Sequence, residues 1–187
     1  AMGYEVDVTA LQMVAALSVI ANGGVLLKPQ IIRRIQSSDG VSMHEFKPQK
    51  VRRVIHENAA NMVKNALVSV VEKGGTGTRA ALEGYVVAGK TGTAKKPRDP
   101  RNLGYHSSRY VVSFMGFLPA DNPKLAGIII VDDPKGDEKL YGGTVAAPVF
   151  KEIAMKAMPY LGVEPLIVHR KAARTLNNDR GGAYQNF

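Results

Sequence analysis

The chain has 187 residues, enough for one domain with a hydrophobic core of its own. Hydrophobic residues make up 45% and charged residues 22%, a composition typical of ordinary globular proteins. The lack of cysteine excludes disulfide bonds and thiolate metal sites, and no stretch resembles a membrane span or a signal peptide. The net charge of +9 is compatible with an anionic partner such as nucleic acid, a membrane surface or an acidic polymer.

The N-terminal part is predicted to begin with a buried helix. Thr9 and Gln12 have the spacing of a capping box, and the mostly apolar residues 10–21 leave little polar face. Asn22-Gly23-Gly24 should end this helix. Short extended segments are expected next: residues 25–35 interrupted by Pro29, a turn at 37–40, and a hairpin that pairs 41–46 with 51–55.

The rest of the chain predicts helices packed on a meander of strands. A second helix should begin near Asn58, because apolar residues recur at helical spacing up to Val71, and Gly74-Gly75 should end it. Three strands and a final helix follow, in the order 86–94, a basic loop 95–109, 110–118, a turn 119–123, 125–131, and a helix 145–161 with Pro148 in its first turn. This order predicts an α+β fold.

The central predicted strand carries the residues best suited to bind a ligand. A strand has a period of two, so Lys90 and Gly92 share one face while Thr91 and Thr93 share the other. A lysine, two hydroxyls and a glycine that lets another backbone approach suit an extended, anionic ligand.

The same letters also fit a phosphate-binding loop. Residues 84–91 match the pattern G-x-x-x-x-G-K-[ST], which requires a strand before it and a helix that starts at the lysine. Pro97 and Pro100 block such a helix, so the context argues against nucleotide binding.

Other site chemistries find little support in the residues. His44, His56, His106 and His169 are scattered without ligand spacing, so neither a metal site nor any cofactor is expected. The basic residues between 47 and 53 have only Phe46 nearby as a stacking partner, so no nucleic-acid role is expected.

Several motifs occur together in register and resemble a known family. They are Gly75-Thr-Gly-Thr-Arg-Ala80, Val87-Ala-Gly-Lys-Thr-Gly-Thr-Ala-Lys95 and Tyr141-Gly-Gly-Thr-Val-Ala-Ala-Pro-Val-Phe150, with Thr9-Ala-Leu-Gln-Met13 and Ala21-Asn-Gly-Gly24 upstream. The pattern resembles the C-terminal half of the transpeptidase domain of a class B penicillin-binding protein, of the division-specific kind. The resemblance implies part of the penicillin-binding-protein and serine β-lactamase-like fold.

The resemblance also implies site residues and ligands. The substrate would be a peptidoglycan stem peptide ending in D-Ala-D-Ala, laid as an extra strand along the Lys-Thr-Gly strand, and β-lactam antibiotics would mimic it. Lys90 would assist proton transfer, the hydroxyls of Thr91 and Thr93 would bind the terminal carboxylate, and Gly92 would keep the backbone accessible. The Thr93 backbone N–H would be one oxyanion donor, which makes Lys90 and Thr93 the expected catalytic residues.

Two of the three family motifs do not occur in this sequence. No serine is followed by lysine at the third position, and there is no Ser-x-Asn. We therefore expect a piece of a longer protein that is inactive alone, with 1–3 as a cloning scar, 4–163 as part of the transpeptidase domain and 164–187 as a polar tail or linker.

The resemblance places the full-length protein in the bacterial inner membrane, with its catalytic domain on the periplasmic side and cell-division membrane proteins as partners. A non-catalytic penicillin-binding sensor module is the alternative, since it would share the motifs. The isolated chain is expected to oligomerise or swap strands, because a sheet edge would lack its upstream neighbours.

Overall fold

The computed structural model describes residues 7–98, 104–136 and 140–166, so the predicted cloning scar and most of the predicted tail lie outside it. The elements are α1 (Ala10–Ala21), β1 (Val25–Leu27), β2 (Arg34–Gln36), β3 (Ser42–Glu45), β4 (Lys50–Arg53), α2 (Glu57–Val71), a 3₁₀ turn (Thr78–Ala80), β5 (Ala88–Pro97), β6 (Tyr105–Leu118), β7 (Leu125–Asp132) and α3 (Gly142–Tyr160).

A three-stranded antiparallel sheet in the order β5-β6-β7 forms the centre of the fold. Strands β5 and β6 pair without interruption from Ala88 opposite Phe117 to Lys95 opposite Tyr110. The C-terminal part of β6, residues 111–118, pairs with the whole of β7. Helix α3 packs on one side of this sheet, while α1 and α2 pack on the other. The predicted α+β arrangement is therefore confirmed.

The alternation of side chains along the strands divides the core in two. Phe114 on β6 points toward α3 and packs against Phe150 with 5.1 Å between ring centroids. Phe117, three residues further along, lies on the opposite side with Leu17 and Leu67 from α1 and α2. Residues of one strand thus serve both layers, as the two-residue period requires.

The capping box that predicted α1 is present, but the helix is less buried than expected. The Thr9 side chain accepts the Gln12 N–H, and the Gln12 side chain accepts the Thr9 N–H. Within α1 only Leu17 and Val19 are fully buried, and Leu11 is 62% exposed. The apolar composition therefore predicted the helix correctly, but it overestimated how much of the helix is buried among the described residues.

The predicted hairpin of residues 41–46 with 51–55 is wrong. The turn at 37–40 instead closes a hairpin of β2 with β3, and β4 returns to pair with β1. Gly24, at φ +94°, makes the second pairing close, because its carbonyl accepts the N–H groups of Val54 and Ile55 and a side chain would collide with Ile55. A glycine near the end of α1 therefore decides a strand pairing 30 residues away.

The second and third helices differ from expectation mainly at their starts. Helix α2 begins one residue before Asn58, where the His56 ring accepts the Asn58 N–H. Helix α3 begins at Gly142, three residues earlier than predicted, so Pro148 lies inside the helix and not in its first turn. The predicted loop 95–109 is also shorter, because β5 continues to Pro97 and β6 starts at Tyr105.

The last described residues return to the start of the central strand. The Tyr85 hydroxyl donates to the Val163 carbonyl at 2.7 Å, and the Leu166 N–H donates to the Gly84 carbonyl at 2.8 Å. Among the described residues, no helix has the length and apolar character to cross a membrane.

Candidate active site on the edge strand

Strand β5 places the four predicted site residues at an edge of the central sheet. In the described part of the chain β6 is its only strand partner, so the other edge of β5 is open for an extended ligand. Thr91 and Thr93 lie on the face that α3 covers, and Lys90 and Gly92 lie on the opposite face. The predicted division of the two faces is observed.

The two threonine hydroxyls open into a cavity of about 420 Å³. Each hydroxyl is oriented by a residue from elsewhere in the chain. The Thr91 Oγ1 lies 2.9 Å from the Thr76 Oγ1, and the Thr93 Oγ1 accepts the backbone N–H of Gly142 at 3.3 Å. The cavity is lined by Thr76, Thr78, Arg79, Thr91, Thr93, Tyr141, Gly142, Gly143 and Thr144.

Helix α3 reaches this cavity because its first two residues are glycines. A Cβ on Gly142 would overlap the Ser113 carbonyl, and a Cβ on Gly143 would overlap the Thr76 carbonyl. The 19-residue helix therefore ends against β5 with its N-terminus beside the hydroxyls, where its dipole favours a negative charge.

Lys90 does not line this cavity. Its ammonium donates to the Thr91 carbonyl at 2.7 Å, and its side chain is exposed on the sheet face shared with Gly92. A Cβ on Gly92 would lie 2.5 Å from the Ser113 Oγ, so the space left by this glycine is partly filled from the neighbouring strand. The Lys90 ammonium and the hydroxyls of Thr91 and Thr93 therefore lie on opposite faces of the same edge strand.

The far end of the sheet is held by charge pairs. Lys96 reaches across β6 to Asp132, with 2.6 Å between the ammonium and the carboxylate. Asp133 accepts from Arg109 at 2.9 Å and from Lys135 at 3.1 Å, and it adopts a positive φ of 49°. The hydrogen bond from Lys135, and then the hydrogen bond and charge of Arg109, lower the pKa of the Asp133 carboxyl below its ordinary value.

The positions of Thr76 and Arg79 in the lining of this cavity were not predicted from the sequence. Both belong to a recognised motif, residues 75–80, yet ligand-binding roles were assigned only to residues of the Lys-Thr-Gly strand. The available signal was the pair of glycines that flank Thr76, because Gly75 and Gly77 mark places where backbones approach closely, and such places often adjoin ligands.

The structure gives no support to the two other kinds of site considered, a phosphate-binding loop and a metal site. Lys90 lies inside β5, which continues as a strand to Pro97, so the helix that a phosphate-binding loop requires does not follow it. In the ranges that the structure describes, no group of three or more His, Asp or Glu side chains could hold a metal ion.

Comparison with known proteins identifies the family. The sequence model of the penicillin binding protein transpeptidase domain matches residues 1–155. Stage V sporulation protein D of Bacillus subtilis is 43% identical over 88% of this chain and 25% of its own length. PenA of Neisseria gonorrhoeae, named a probable peptidoglycan D,D-transpeptidase, is 35% identical over 87% of this chain and 26% of its own length.

Solved structures agree with this result. Penicillin-binding protein 3 of Mycobacterium tuberculosis, in complex with ampicillin, has a TM-score of 0.72 and 33% identity over 87% of this chain and 37% of that one. This chain thus spans about a quarter of the length of the curated relatives it matches. The family expected from the motifs is confirmed, and the chain belongs to the transpeptidase domains of penicillin-binding proteins.

Proposed function

We propose that this chain is the substrate-binding edge of a longer peptidoglycan D,D-transpeptidase. The observation that carries the proposal is the hydroxyl-lined cavity at the open edge of β5, where Thr91 and Thr93 meet the N-terminus of α3. Hydroxyl donors and a helix N-terminus suit the terminal carboxylate of a D-Ala-D-Ala stem peptide.

The open edge of β5 has a separate role in this proposal. The stem peptide pairs with β5 as an added strand, so main-chain hydrogen bonds hold it while the cavity takes its carboxyl end. The Thr93 backbone N–H stabilises the oxyanion that forms on the scissile carbonyl, and loss of such a donor typically costs about 3 kcal/mol of barrier.

Lys90 acts on the other side of the strand. The nucleophilic serine comes from an upstream part of the full-length protein, because this sequence has no Ser-x-x-Lys or Ser-x-Asn. The Lys90 ammonium, exposed on the face away from the hydroxyls, is free of the carboxylate cavity and assists proton transfer at the upstream groups. A β-lactam acylates the same serine as a mimic of the dipeptide.

We place the full-length protein in the inner membrane with this domain on the periplasmic side. Septal cross-linking with cell-division membrane proteins is the preferred role, on the wording of the Lys-Thr-Gly-Thr-Ala-Lys-Lys motif and the Asp133-Pro134 pair. A sporulation protein among the relatives supports a second role, cross-linking of the spore wall. Depletion of the protein separates them, because filamentous cells indicate a division role and normal division with defective spores indicates the other.

Intact mass after incubation with benzylpenicillin tests the activity. We expect one acyl adduct on the full-length protein and none on the isolated 187-residue chain. Lys90→Met should slow acylation strongly, while Lys124→Met, exposed in the turn between β6 and β7, should not. Acylation of the isolated chain would reveal a nucleophile within it, and an unreactive full-length protein would refute the proposal.

Turnover of stem peptides separates the enzyme from the sensor alternative. A transpeptidase releases D-Ala from a pentapeptide and transfers the acyl group to an amine, whereas a sensor module is acylated by penicillin without processing peptides. Release of D-Ala by the full-length protein supports the enzyme, and acylation without release supports the sensor.

A further inference from the structure

We infer that residues 28–54, here called the ribbon segment, form a surface that docks on a membrane containing anionic phospholipids. The segment includes β2, β3 and β4, and it shares no residue with the hydroxyl-lined cavity. The inference rests on the proposed location of the full-length protein at the inner membrane. It does not depend on the proposed transpeptidase activity.

The ribbon segment has no core of its own. None of its residues is buried in the described structure, and only Ser37 and Phe46 are partly covered. Its strands belong to two separate sheets of two strands each. A two-stranded ribbon is marginally stable at best in water, so a surface that lies against the segment would stabilise it.

Large apolar side chains of the ribbon segment are exposed to solvent. Ile31 is fully exposed, and its neighbour Ile32 is 56% exposed. Clustered apolar groups of this kind usually mark a site of contact with a protein or a membrane. The other exposed apolar residues of the segment are Ile35, Val41, Met43, Val51 and Val54.

The ribbon segment also carries much of the positive charge. It contains seven lysines and arginines against two acidic residues, a net charge of +5 in a chain whose total is +9. None of these basic side chains forms an ion pair with a described residue. Their charge is therefore available to an anionic partner. The basic residues are Lys28, Arg33, Arg34, Lys47, Lys50, Arg52 and Arg53.

Apolar and basic groups of the segment meet at a cavity of about 430 Å³. A phospholipid offers both kinds of partner, since its phosphate attracts basic side chains and its acyl chains accept apolar ones. The arrangement therefore suits the boundary between headgroups and acyl chains. The lining includes three apolar, two basic and one acidic residue: Ile31, Ile32, Phe46, Arg33, Lys47 and Glu45.

A membrane fits these observations better than an acidic protein does. A protein partner pairs with polar groups in fixed positions, whereas these basic side chains are exposed and have no ion-pair partner among the described residues to hold them. Binding at a membrane surface requires only apolar area and positive charge on the same side. Arg33 and Arg34 follow Ile31 and Ile32 directly in the chain, which keeps the two kinds of group together.

Fluorescence quenching in vesicles tests the inference. The full-length protein, with bimane attached at Ile31→Cys, is reconstituted in equal parts of phosphatidylglycerol and a phosphatidylcholine with brominated acyl chains. We expect the brominated lipid to quench this label and to protect it from acrylamide in the water. The control is bimane at Ile153→Cys, an exposed position on α3 that the brominated lipid should not quench. Wild-type protein carried through the labelling gives the background.

Removal of charge tests the electrostatic part. With Arg33→Gln and Arg34→Gln together, we expect the ratio of docked to undocked protein to fall about fivefold for each charge removed. Lys124→Gln with Lys156→Gln removes the same charge at exposed positions outside the ribbon segment and should leave the quenching unchanged. Quenching that is equal in the two double variants, or equal in vesicles without phosphatidylglycerol, would overturn the role of anionic lipid.

The other possible states of the surface give different results. A label at residue 31 that neither the lipid nor acrylamide quenches would show that protein covers the segment. A label that acrylamide alone quenches would show that nothing covers it. Either result overturns the inference and leaves acylation by penicillin untouched, so the docking surface and the proposed activity fail separately.

Discussion

The hydroxyl groups of Thr76 and Thr91 share a hydrogen bond with 2.9 Å between their oxygens. Thr76 belongs to the glycine-rich segment after α2, and Thr91 belongs to β5 at the open edge of the sheet. A hydroxyl can both donate and accept a hydrogen bond. The bond to Thr76 therefore holds Thr91 in one rotamer, and the Thr91 hydroxyl can make its other hydrogen bond in the cavity. The segment between α2 and β5 therefore orients a predicted ligand-binding side chain.

Thr76→Val keeps the shape of the side chain and removes this partner. We expect a loss of stability of about 1 kcal/mol and weaker binding of the peptide N-acetyl-D-Ala-D-Ala by the full-length protein, because Thr91 is no longer held in one rotamer. The control is Thr78→Val, which lines the same cavity but makes no side-chain hydrogen bond in the described structure. Equal effects of the two variants on peptide binding would contradict the orienting role.

Gly142→Ala should disrupt the cavity beside β5, because it displaces the N-terminus of α3. The new Cβ would overlap the Ser113 carbonyl and lie 2.6 Å from the Gly92 carbonyl, so the helix must withdraw from β5. We expect a loss of about 2 kcal/mol in the free energy of unfolding, measured with urea, together with slower acylation by penicillin. Gly127→Ala is the control, because a Cβ there meets only the Phe150 ring at an ordinary 3.6 Å. Wild-type stability and acylation in Gly142→Ala would show that the close approach is not needed.

Asp133 should make stability depend on pH. Its pKa is lowered from 3.8 in the folded state, first by the hydrogen bond from Lys135 and then by Arg109. A lowered pKa contributes stability that is complete above 3.8 and is lost as the pH falls through the folded value. We therefore expect Asp133→Asn to be less stable than the wild type at neutral pH, with the difference closing below 3.8.

Urea unfolding across this pH range measures the Asp133 effect. Asparagine tolerates the positive φ of 49° at this position, so the comparison isolates the charge. The control is Asp121→Asn, which makes the same change of side chain at an exposed position in the turn before β7. A stability difference that stays constant from neutral to acidic pH would exclude the ion pairs as its cause.

The outer edge of β7 should make the isolated chain associate. In the described residues this strand pairs only with β6, and Ile130 on it is 47% exposed. We expect the 187-residue chain to sediment as dimers or larger species, and Ile130→Lys to reduce them, since charge on an edge strand opposes pairing. Ile31→Lys makes the same change at a fully exposed site away from β7 and should have less effect. A strictly monomeric wild-type chain would refute this.

The sequence predicted best what is encoded locally. The capping box of Thr9 and Gln12 located α1, and the alternation along residues 90–93 assigned the two faces of β5, because both depend on near neighbours in the chain. The start of α3 was missed because it depends on Gly142 docking onto strands that lie far away in the sequence.

The contact of Arg79 with the Thr144 carbonyl was not predicted, for a similar reason. It joins the 3₁₀ turn to a helix residue 65 positions further along the chain, which no pattern around Arg79 reveals. The pairing of β4 with β1 likewise depends on Gly24 and not on the strands themselves. Long-range contacts thus decided each feature that periodicity and spacing could not supply.

The hydrogen bond from Tyr85 to Val163 joins residues that are 78 apart in the chain. Closing so long a loop costs entropy that is recovered only after the sheet and α3 have assembled, so this contact should form after the rate-limiting step of folding. Contacts of that kind slow unfolding and leave the folding rate almost unchanged. The return of the chain to Gly84 and Tyr85 should therefore set how long the folded domain persists, and the central sheet should set how fast it forms.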